Sequence, residues 1–397
     1  MKQSRAYKKL GDIATFSRGL TFSKSDIADT SSKQVLRSNN IDLNNHSLNF
    51  DDVACLNEDF VIPDEKKLHE GDIFICMSNG STQHLGKVAF IAEDMDYAFG
   101  GFMGAIHPNQ SETNPKFVFY ACLSSEYRRF LASVFNGVNI NNLKWSDLSN
   151  YSIPVPPLVT QSRIVSELDL LQSIIDKQQT QLKELDTLAQ AIFYDMFGDS
   201  AGDECSLVEL CKSKDDIKCG PFGTQLSKLE YQKDGVAVWG IPQINSHFAI
   251  VPSDYVSEEK AAALKDYSVA PGDIIMSRKG NVGQCSVFPD SFENGIIHSD
   301  VLRLRLEYDK ANPIFMMYQL HLSDSIKHQI QLVSSGAIMP GINVTKLKSI
   351  KVIVPSLALQ QSFAAKIEAI EKQKAMISQS IAESQKLFDF TMDKYFG

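Results

Sequence analysis

Apolar residues recur in a 4-3-4-3 rhythm over two stretches of the chain. The first runs through Ile164, Leu168, Leu171, Ile175, Gln178, Leu182, Leu185, Ala189, Ile192 and Met196. The second runs through Phe363, Ile367, Ile370, Lys374, Ile377, Ile381, Ser384, Phe388, Thr391 and Tyr395. This is the a/d pattern of a coiled coil, and it predicts two long helices. One apolar stripe cannot be buried alone, so the two helices are expected to pack on each other. A globular segment lies between them in the chain, which lets the second return antiparallel to the first. Gln178 and Lys374 interrupt the seams, either as local tolerance or as devices that fix register and orientation.

Ahead of each helix the pattern changes. Ile153-Pro154-Val155-Pro156-Pro157 and Val352-Ile353-Val354-Pro355 read as extended segments that lead into the helix without a flexible linker, which makes the helices rigid struts. Short apolar or alternating runs such as 72–77, 87–91, 273–276 and 301–306 predict strands. Asn114-Pro115 and Asn312-Pro313 predict helix starts, with Asn as the cap and Pro in the first turn. These signals come in pairs about 200 residues apart: Gly71-Asp72-Ile73 returns as Gly272-Asp273-Ile274, and Val155-Pro156-Pro157-Leu158 as Val354-Pro355-Ser356-Leu357. A unit this long is a domain plus a helix, too large for a solenoid repeat. The expectation is two tandem α+β domains, each with a twisted, largely antiparallel sheet, and an internal pseudo-two-fold repeat. The boundaries fall at 1–158, 159–202, 203–356 and 357–397, with Gly198-Asp199-Ser200-Ala201-Gly202-Asp203 as the hinge-like stretch.

Composition narrows the class. The chain has 397 residues, 43% hydrophobic and 22% charged, enough for two domains with cores of their own. No apolar run suits a signal peptide or a membrane span, so a cytoplasmic protein is expected. Seven cysteines without a Cys-x-x-Cys pair or a neighbouring His cluster indicate reduced thiols, with no disulfide framework and no zinc site. The net charge of −9 argues against a nucleic-acid partner only at first sight. Residues 1–158 carry 15 Lys+Arg against 18 Asp+Glu and residues 203–356 carry 16 against 18, so a basic face can coexist with an acidic back.

The motifs of common catalysts are missing. Asn114-Pro115-Lys116-Phe117 resembles the base-gripping loop of amino-methyltransferases, but the second proline is absent and a helix start explains both copies better. There is no phosphate loop of the Gly-x-x-x-x-Gly-Lys-Ser/Thr type and no Gly-x-Ser-x-Gly elbow. The acid-rich patches Asp51-Asp52, Asp94 with Asp96, and Asp215-Asp216 do not recur at matching places, and they read as solvated loops. A non-catalytic chain is expected.

Polar, glycine-punctuated loops at matched places remain. Ser78-Asn79-Gly80-Ser81-Thr82-Gln83-His84 follows the first Gly-Asp-Ile strand, and Ser277-Arg278-Lys279-Gly280-Asn281 follows the second. Arg37-Ser38-Asn39-Asn40 matches the region of Gly240-Ile241-Pro242-Gln243-Ile244-Asn245 more loosely, and Ser17-Arg18-Gly19 that of Lys218-Cys219-Gly220-Pro221-Phe222-Gly223-Thr224-Gln225. Such side chains read base edges and hold phosphates, and the glycines allow close backbone approach. The candidate DNA contacts are Arg18, Arg37, Asn39, Asn40, Ser78, Asn79, Ser81 and His84 in the first domain. In the second they are Lys218, Thr224, Gln225, Gln243, Asn245, Arg278, Lys279 and Asn281.

The Gly-Asp-Ile strand with its glycine loop, the 153–165 segment leading into a heptad helix, and the Lys218–Leu226 stretch together resemble the DNA specificity subunit of type I restriction-modification systems. The resemblance spans essentially the whole chain. It implies two tandem mixed α/β target recognition domains with twisted sheets, separated by two long helices packed as an antiparallel coiled coil. It further implies that each domain reads one half of a bipartite, asymmetric double-stranded DNA target. Two modification subunits that bind S-adenosylmethionine would dock on the helices, and two ATP- and Mg-dependent restriction subunits could join them, so this chain itself needs no cofactor. A helix over 161–197 is roughly 55 Å long, equivalent to about 16 base pairs, which would leave unread pairs between the half-sites. The alternatives are the specificity subunit of a fused methyltransferase-nuclease system, a duplicated enzyme with an unfamiliar active site, or a coiled-coil adaptor that binds proteins only.

Overall fold

A computed structural model describes residues 6–43, 45–135, 142–198, 202–334 and 341–397. Residues 199–201 of the hinge-like stretch lie outside the described residues. The chain divides into two compact units, Met1–Gln179 with Gln379–Gly397, and Thr180–Ser378. The two long helices, Leu158–Phe197 and Leu357–Phe396, are packed together, and each unit takes a share of both.

In the first unit Tyr7–Lys9 pairs with Ser152–Pro154 as an antiparallel ribbon, which ties the start of the domain to the segment that leads into the helix. An antiparallel sheet follows in the order Ala14–Arg18, Met103–Pro108, Ile73–Cys76, Val88–Phe90. A further sheet is built from Ile27–Ala28, Ala54–Leu56, Lys33–Leu36, Met95–Phe99 and Lys67–Leu68, with one parallel pairing, Val35 with Ala98. The second unit repeats the plan. Asp203–Ser206 pairs with Lys351–Val354, and Ile217–Cys219, Val301–Leu304, Ile274–Ser277 and Cys285–Val287 form the antiparallel sheet. Its mixed sheet holds Tyr255–Val256, Val236–Trp239, Gly295–Ile297 and Ser268–Val269. The single sheet per domain read from the sequence is therefore corrected to two sheets and a ribbon. The second sheet escapes pattern reading because four of its strands across the two units, Ile27–Ala28, Lys67–Leu68, Tyr255–Val256 and Ser268–Val269, are two residues long, too short to establish a period.

Both predicted Asn-Pro helix starts are present. The Asn114 side chain accepts hydrogen bonds from the backbone N–H groups of Lys116 and Phe117, and Asn312 from those of Ile314 and Phe315. Asn312→Ala would leave these donors uncapped and is expected to lower stability by about 1 kcal/mol. The check is a lower urea midpoint at unchanged slope.

The helix seams are buried where a domain covers them. In the first unit Ile164, Leu168, Leu171 and Ile175 share a core with Phe117, Val118, Phe388, Met392 and Phe396, and Ile381 packs at its edge. In the second, Ala189, Phe193, Phe197, Phe363, Ile367 and Ile370 surround Phe315 and Met316, with Leu185 and Ile192 alongside. Leu182 and Ile377, farther from either domain core, are only half-buried. In each unit the packing is antiparallel: Glu167 meets Tyr395 and Gln178 meets Ser380, while Asp186 meets Lys374 and Phe193 meets Phe363.

The two polar interruptions of the seam are both partnered. Gln178 Nε2 donates to Ser380 Oγ at 2.7 Å, and Ser384 Oγ donates to Gln178 Oε1 at 3.4 Å. Lys374 lies 2.8 Å from Asp186 and 2.9 Å from Glu371. Burial works against its charge, but the two carboxylates outweigh it and hold its pKa above the ordinary lysine value.

A matched pair of glutamines locks each helix to its domain. Gln161 is fully buried; its Oε1 accepts from Asn114 N at 2.8 Å, and its Nε2 donates to the carbonyls of Pro156 at 2.7 Å and Glu112 at 3.1 Å. Gln360, also fully buried, accepts from Asn312 N at 2.9 Å and donates to the Pro355 carbonyl at 2.8 Å.

Candidate nucleic-acid interface

The strands Ala14–Arg18 and Ile217–Cys219 each run into a glycine. A Cβ at Gly19 would lie 2.0 Å from the Gly100 carbonyl oxygen, and one at Gly220 would lie 2.2 Å from that of His298. Only glycine lets these loops touch. Two further backbone bonds recur. Met77 N donates to Phe102 O (2.9 Å) as Arg278 N does to Asp300 O (3.1 Å), and Leu143 N donates to Met77 O (2.7 Å) as Ile342 N does to Arg278 O (3.1 Å). Met77 therefore matches Arg278, Ser78 matches Lys279 and Phe102 matches Asp300. Setting Ser78 against Ser277 is two residues out of register. Ser277 is the fully buried last residue of its strand and corresponds to Cys76.

In the first unit Arg37, Asn39, Ser78 and Asn79 line a hollow of about 790 Å³, together with the loops at 20–22 and 100–103. Arg37 Nη2 donates to both oxygens of Asp52 at 3.1 and 3.2 Å, and Asn39 Nδ2 donates to the same residue's carboxylate at 3.0 Å. Asn79 brackets two loops: its Nδ2 donates to Ser38 Oγ, and its Oδ1 accepts from Ser81 N. Arg18 is exposed and borders an adjoining depression with Ser78, Phe102 and Trp145. His84 sits in a single 3-10 turn, Thr82–His84, with Nδ1 buried and unpartnered. Burial, with the Lys87 charge, pushes its pKa below the ordinary imidazole value.

In the second unit the Arg278 guanidinium lies 5.1 Å over the Phe222 ring and donates to Cys219 Sγ at 3.2 Å and Ser299 O at 3.4 Å. Lys279 pairs with Asp300 at 2.8 Å. Burial works to raise the Asp300 pKa, and Lys279, with His298 and Arg278, reverses it to below the usual carboxylate value. Lys218 lies 5.1 Å over the Tyr267 ring and 3.6 Å from Asp266, and the Gln225 amide bonds to the Tyr267 hydroxyl at 2.8 Å. Thr224, Asn245 and Asn281 are exposed, with Asn245 ending the short helix Ile241–Asn245.

Two candidate contacts are struts instead of surface, which corrects their assignment. Asn40 is fully buried, with its amide bonded to Arg37 N and to the carbonyls of Asn49 and Asp52. Gln243, only 6% exposed, makes the matching bond to Gly240 N. They hold equivalent turns closed and cannot reach a ligand without opening them. Sequence reasoning also missed Phe102, Phe222, Tyr267, Asp52 and the 298–300 loop. The one available signal was an aromatic beside a glycine in Gly100-Gly101-Phe102 and Pro221-Phe222-Gly223.

One further constellation has the distances of a hydrolytic triad. Ser17 Oγ is 2.7 Å from His107 Nε2, and His107 Nδ1 is 2.6 Å from Asp72. The same sheet positions of the second unit hold Lys218, Arg305 and Asp273, where Arg305 grips Asp273 with two bonds of 2.7 Å. What the units share is a buried carboxylate tied to a basic residue on a neighbouring strand, which is a structural pairing.

A family model described as the type I restriction modification DNA specificity domain matches residues 5–187 and again 206–384, so the chain belongs to that family. Among relatives, the StySPI specificity subunit of Salmonella potsdam is 23% identical over 377 residues, 90% of this chain and 80% of that one. The EcoKI specificity subunit of Escherichia coli K12 is 22% identical over 97% of this chain and 86% of its own. Among solved structures, the type I restriction-modification S subunit from M. genitalium aligns with a TM-score of 0.60 at 15% identity, covering 100% of this chain and 98% of that one. A chain from a study of assembly and conformational transition in a type I R-M system gives 0.59 at 19%, covering 99% and 98%. At these identities the structural likeness establishes the fold, and the family match carries the class.

Proposed function

We propose that this chain is the DNA-reading subunit of a type I restriction-modification complex, with each unit reading one half of a bipartite, asymmetric target. The observation that carries the reading is that the units share a frame, set by Gly19 and Gly220 and by matched backbone bonds, and differ in the side chains that frame presents. The helices, each of 40 residues and so about 60 Å long, would fix the unread gap and give two modification subunits their docking surface. Methylation and cleavage, with S-adenosylmethionine, ATP and Mg, belong in this reading to the modification subunits and to two restriction subunits that can join them. Among the described residues no group of His, Cys, Asp and Glu could hold a metal ion, and no helix is long and apolar enough to cross a membrane; a cytoplasmic location fits the DNA partner.

Electrostatics supports a division of labour. Arg37, Lys218 and Lys279 are each paired with a carboxylate of their own unit, so DNA must replace those partners before it gains the cations. The isolated chain is expected to bind DNA weakly, with much of the phosphate clamp supplied by the modification subunits. Methylome sequencing of the host with and without the gene tests the reading. The expected result is loss of adenine methylation at one split sequence with a fixed gap; an unchanged methylome in a strain whose modification subunits are expressed and active would rule it out.

A further inference from the structure

The two faces stand on one frame and present different side chains. The first unit is hollow where Gly80, Gly100 and Gly101 leave space. The second sets an Arg278–Phe222 stack and a Lys279–Asp300 pair at the corresponding loops. An arginine held in this way suits a base edge in a groove. A hollow does the reverse: it accepts something that projects from the DNA. At about 790 Å³ it lies within the range of small-ligand pockets, which are mainly apolar with a few placed polar groups. Leu20, Phe22 and Phe102 supply apolar wall, and Arg37, Asn39 and Asn79 line it with polar groups that a bound base would have to share with Asp52, Ser38 and Ser81, a lining that suits a flat heteroaromatic ring. Phe102 is 73% exposed, an aromatic placed to fill the gap that an extruded base leaves in the stack.

We infer that the hollow of the first unit takes one base of its half-site, turned out of the duplex. This rests on the DNA-reading function proposed above. The base is not the methylated adenine, which must enter the active site of a modification subunit.

The test uses the full chain assembled with its modification subunits and duplexes carrying the methylome-defined target, mismatched one pair at a time across the first half-site. A mismatch removes the unpairing cost of a base that must be extruded. At one pair other than the methylated one, binding is expected to tighten about tenfold. Gly80→Trp, at a site where an added Cβ meets nothing within 4 Å, fills the hollow and is expected to abolish that gain; Phe102→Ala, at an exposed position, is expected to reduce it. The inference is overturned if every such mismatch weakens binding or leaves it unchanged while the intact target is still bound specifically. A gain confined to the methylated pair, or one that survives Gly80→Trp, overturns it equally. Loss of specific binding to the intact target would instead defeat the DNA-reading function, and this inference with it.

Discussion

Gln161→Leu is expected to lower the stability of its unit by about 3 kcal/mol or more, well beyond the loss of a helix cap. The substitution conserves bulk but removes one acceptor and two donated bonds at a fully buried site. Asn114 N and the carbonyls of Pro156 and Glu112 would be left without partners, and each buried unsatisfied group costs roughly 1–3 kcal/mol. Gln360→Leu removes two such bonds and is expected to cost less. Urea unfolding of the two variants checks the order. A functional effect should accompany the loss, because Gln161 sits in the first turn of the long helix and grips the residue that caps the domain's own helix. With that grip removed, the helix can pivot at Pro156-Pro157, and the complex should discriminate less between DNA targets whose gap differs by one base pair. A variant with wild-type stability and wild-type gap preference would show that the glutamine does not set the junction.

How far the sequence could be read depends on the length scale of each feature. The seam from Ile164 to Met196 and its partner from Phe363 to Tyr395 are long enough for a 3.5-residue period to declare itself, and the antiparallel packing follows from chain order. The Asn-Pro caps are local chemistry and were equally plain. The loops carrying Arg37, Ser78 and Arg278 were located by their repetition, but setting Ser78 against Ser277 put the last pair two residues out of register. The 201-residue step from Gly71-Asp72-Ile73 to Gly272-Asp273-Ile274 already sets Ser78 against Lys279, as do the backbone bonds to Phe102 and Asp300. Which polar residue faces outward was also beyond reach. Asn39 and Asn40 are adjacent and alike, yet one lines the hollow and the other is a fully buried strut, a difference set by a single turn of 3-10 helix, Ser38–Asn40. Gln161 and Gln360 repeat 199 residues apart. Their polarity set them off the apolar seam, and only burial reveals them as the joints of the frame.

Arg278→Ala is expected to relax the second half of the DNA target and leave the first intact. The guanidinium is held before any DNA arrives, by the Phe222 ring beneath it and by bonds to Cys219 Sγ and Ser299 O. Part of the side-chain ordering cost of binding is thereby met in the free protein. A bidentate arginine contact to guanine O6 and N7 discriminates by about 1–3 kcal/mol, so one guanine of the second half-site should become degenerate, with affinity for the original sequence falling roughly tenfold to hundredfold. Phe222→Leu keeps the cation but removes its platform, and an intermediate loss at the same position is expected. Methylome sequencing of a host carrying each variant reads both halves at once. Unchanged specificity in both halves would remove Arg278 from the reading surface. Relaxation of both halves together would mean that it acts through the fold, since the half-sites have only the shared frame in common. Relaxation of the second half alone, graded from Phe222→Leu to Arg278→Ala, is the pattern that a preformed arginine reading one base pair requires.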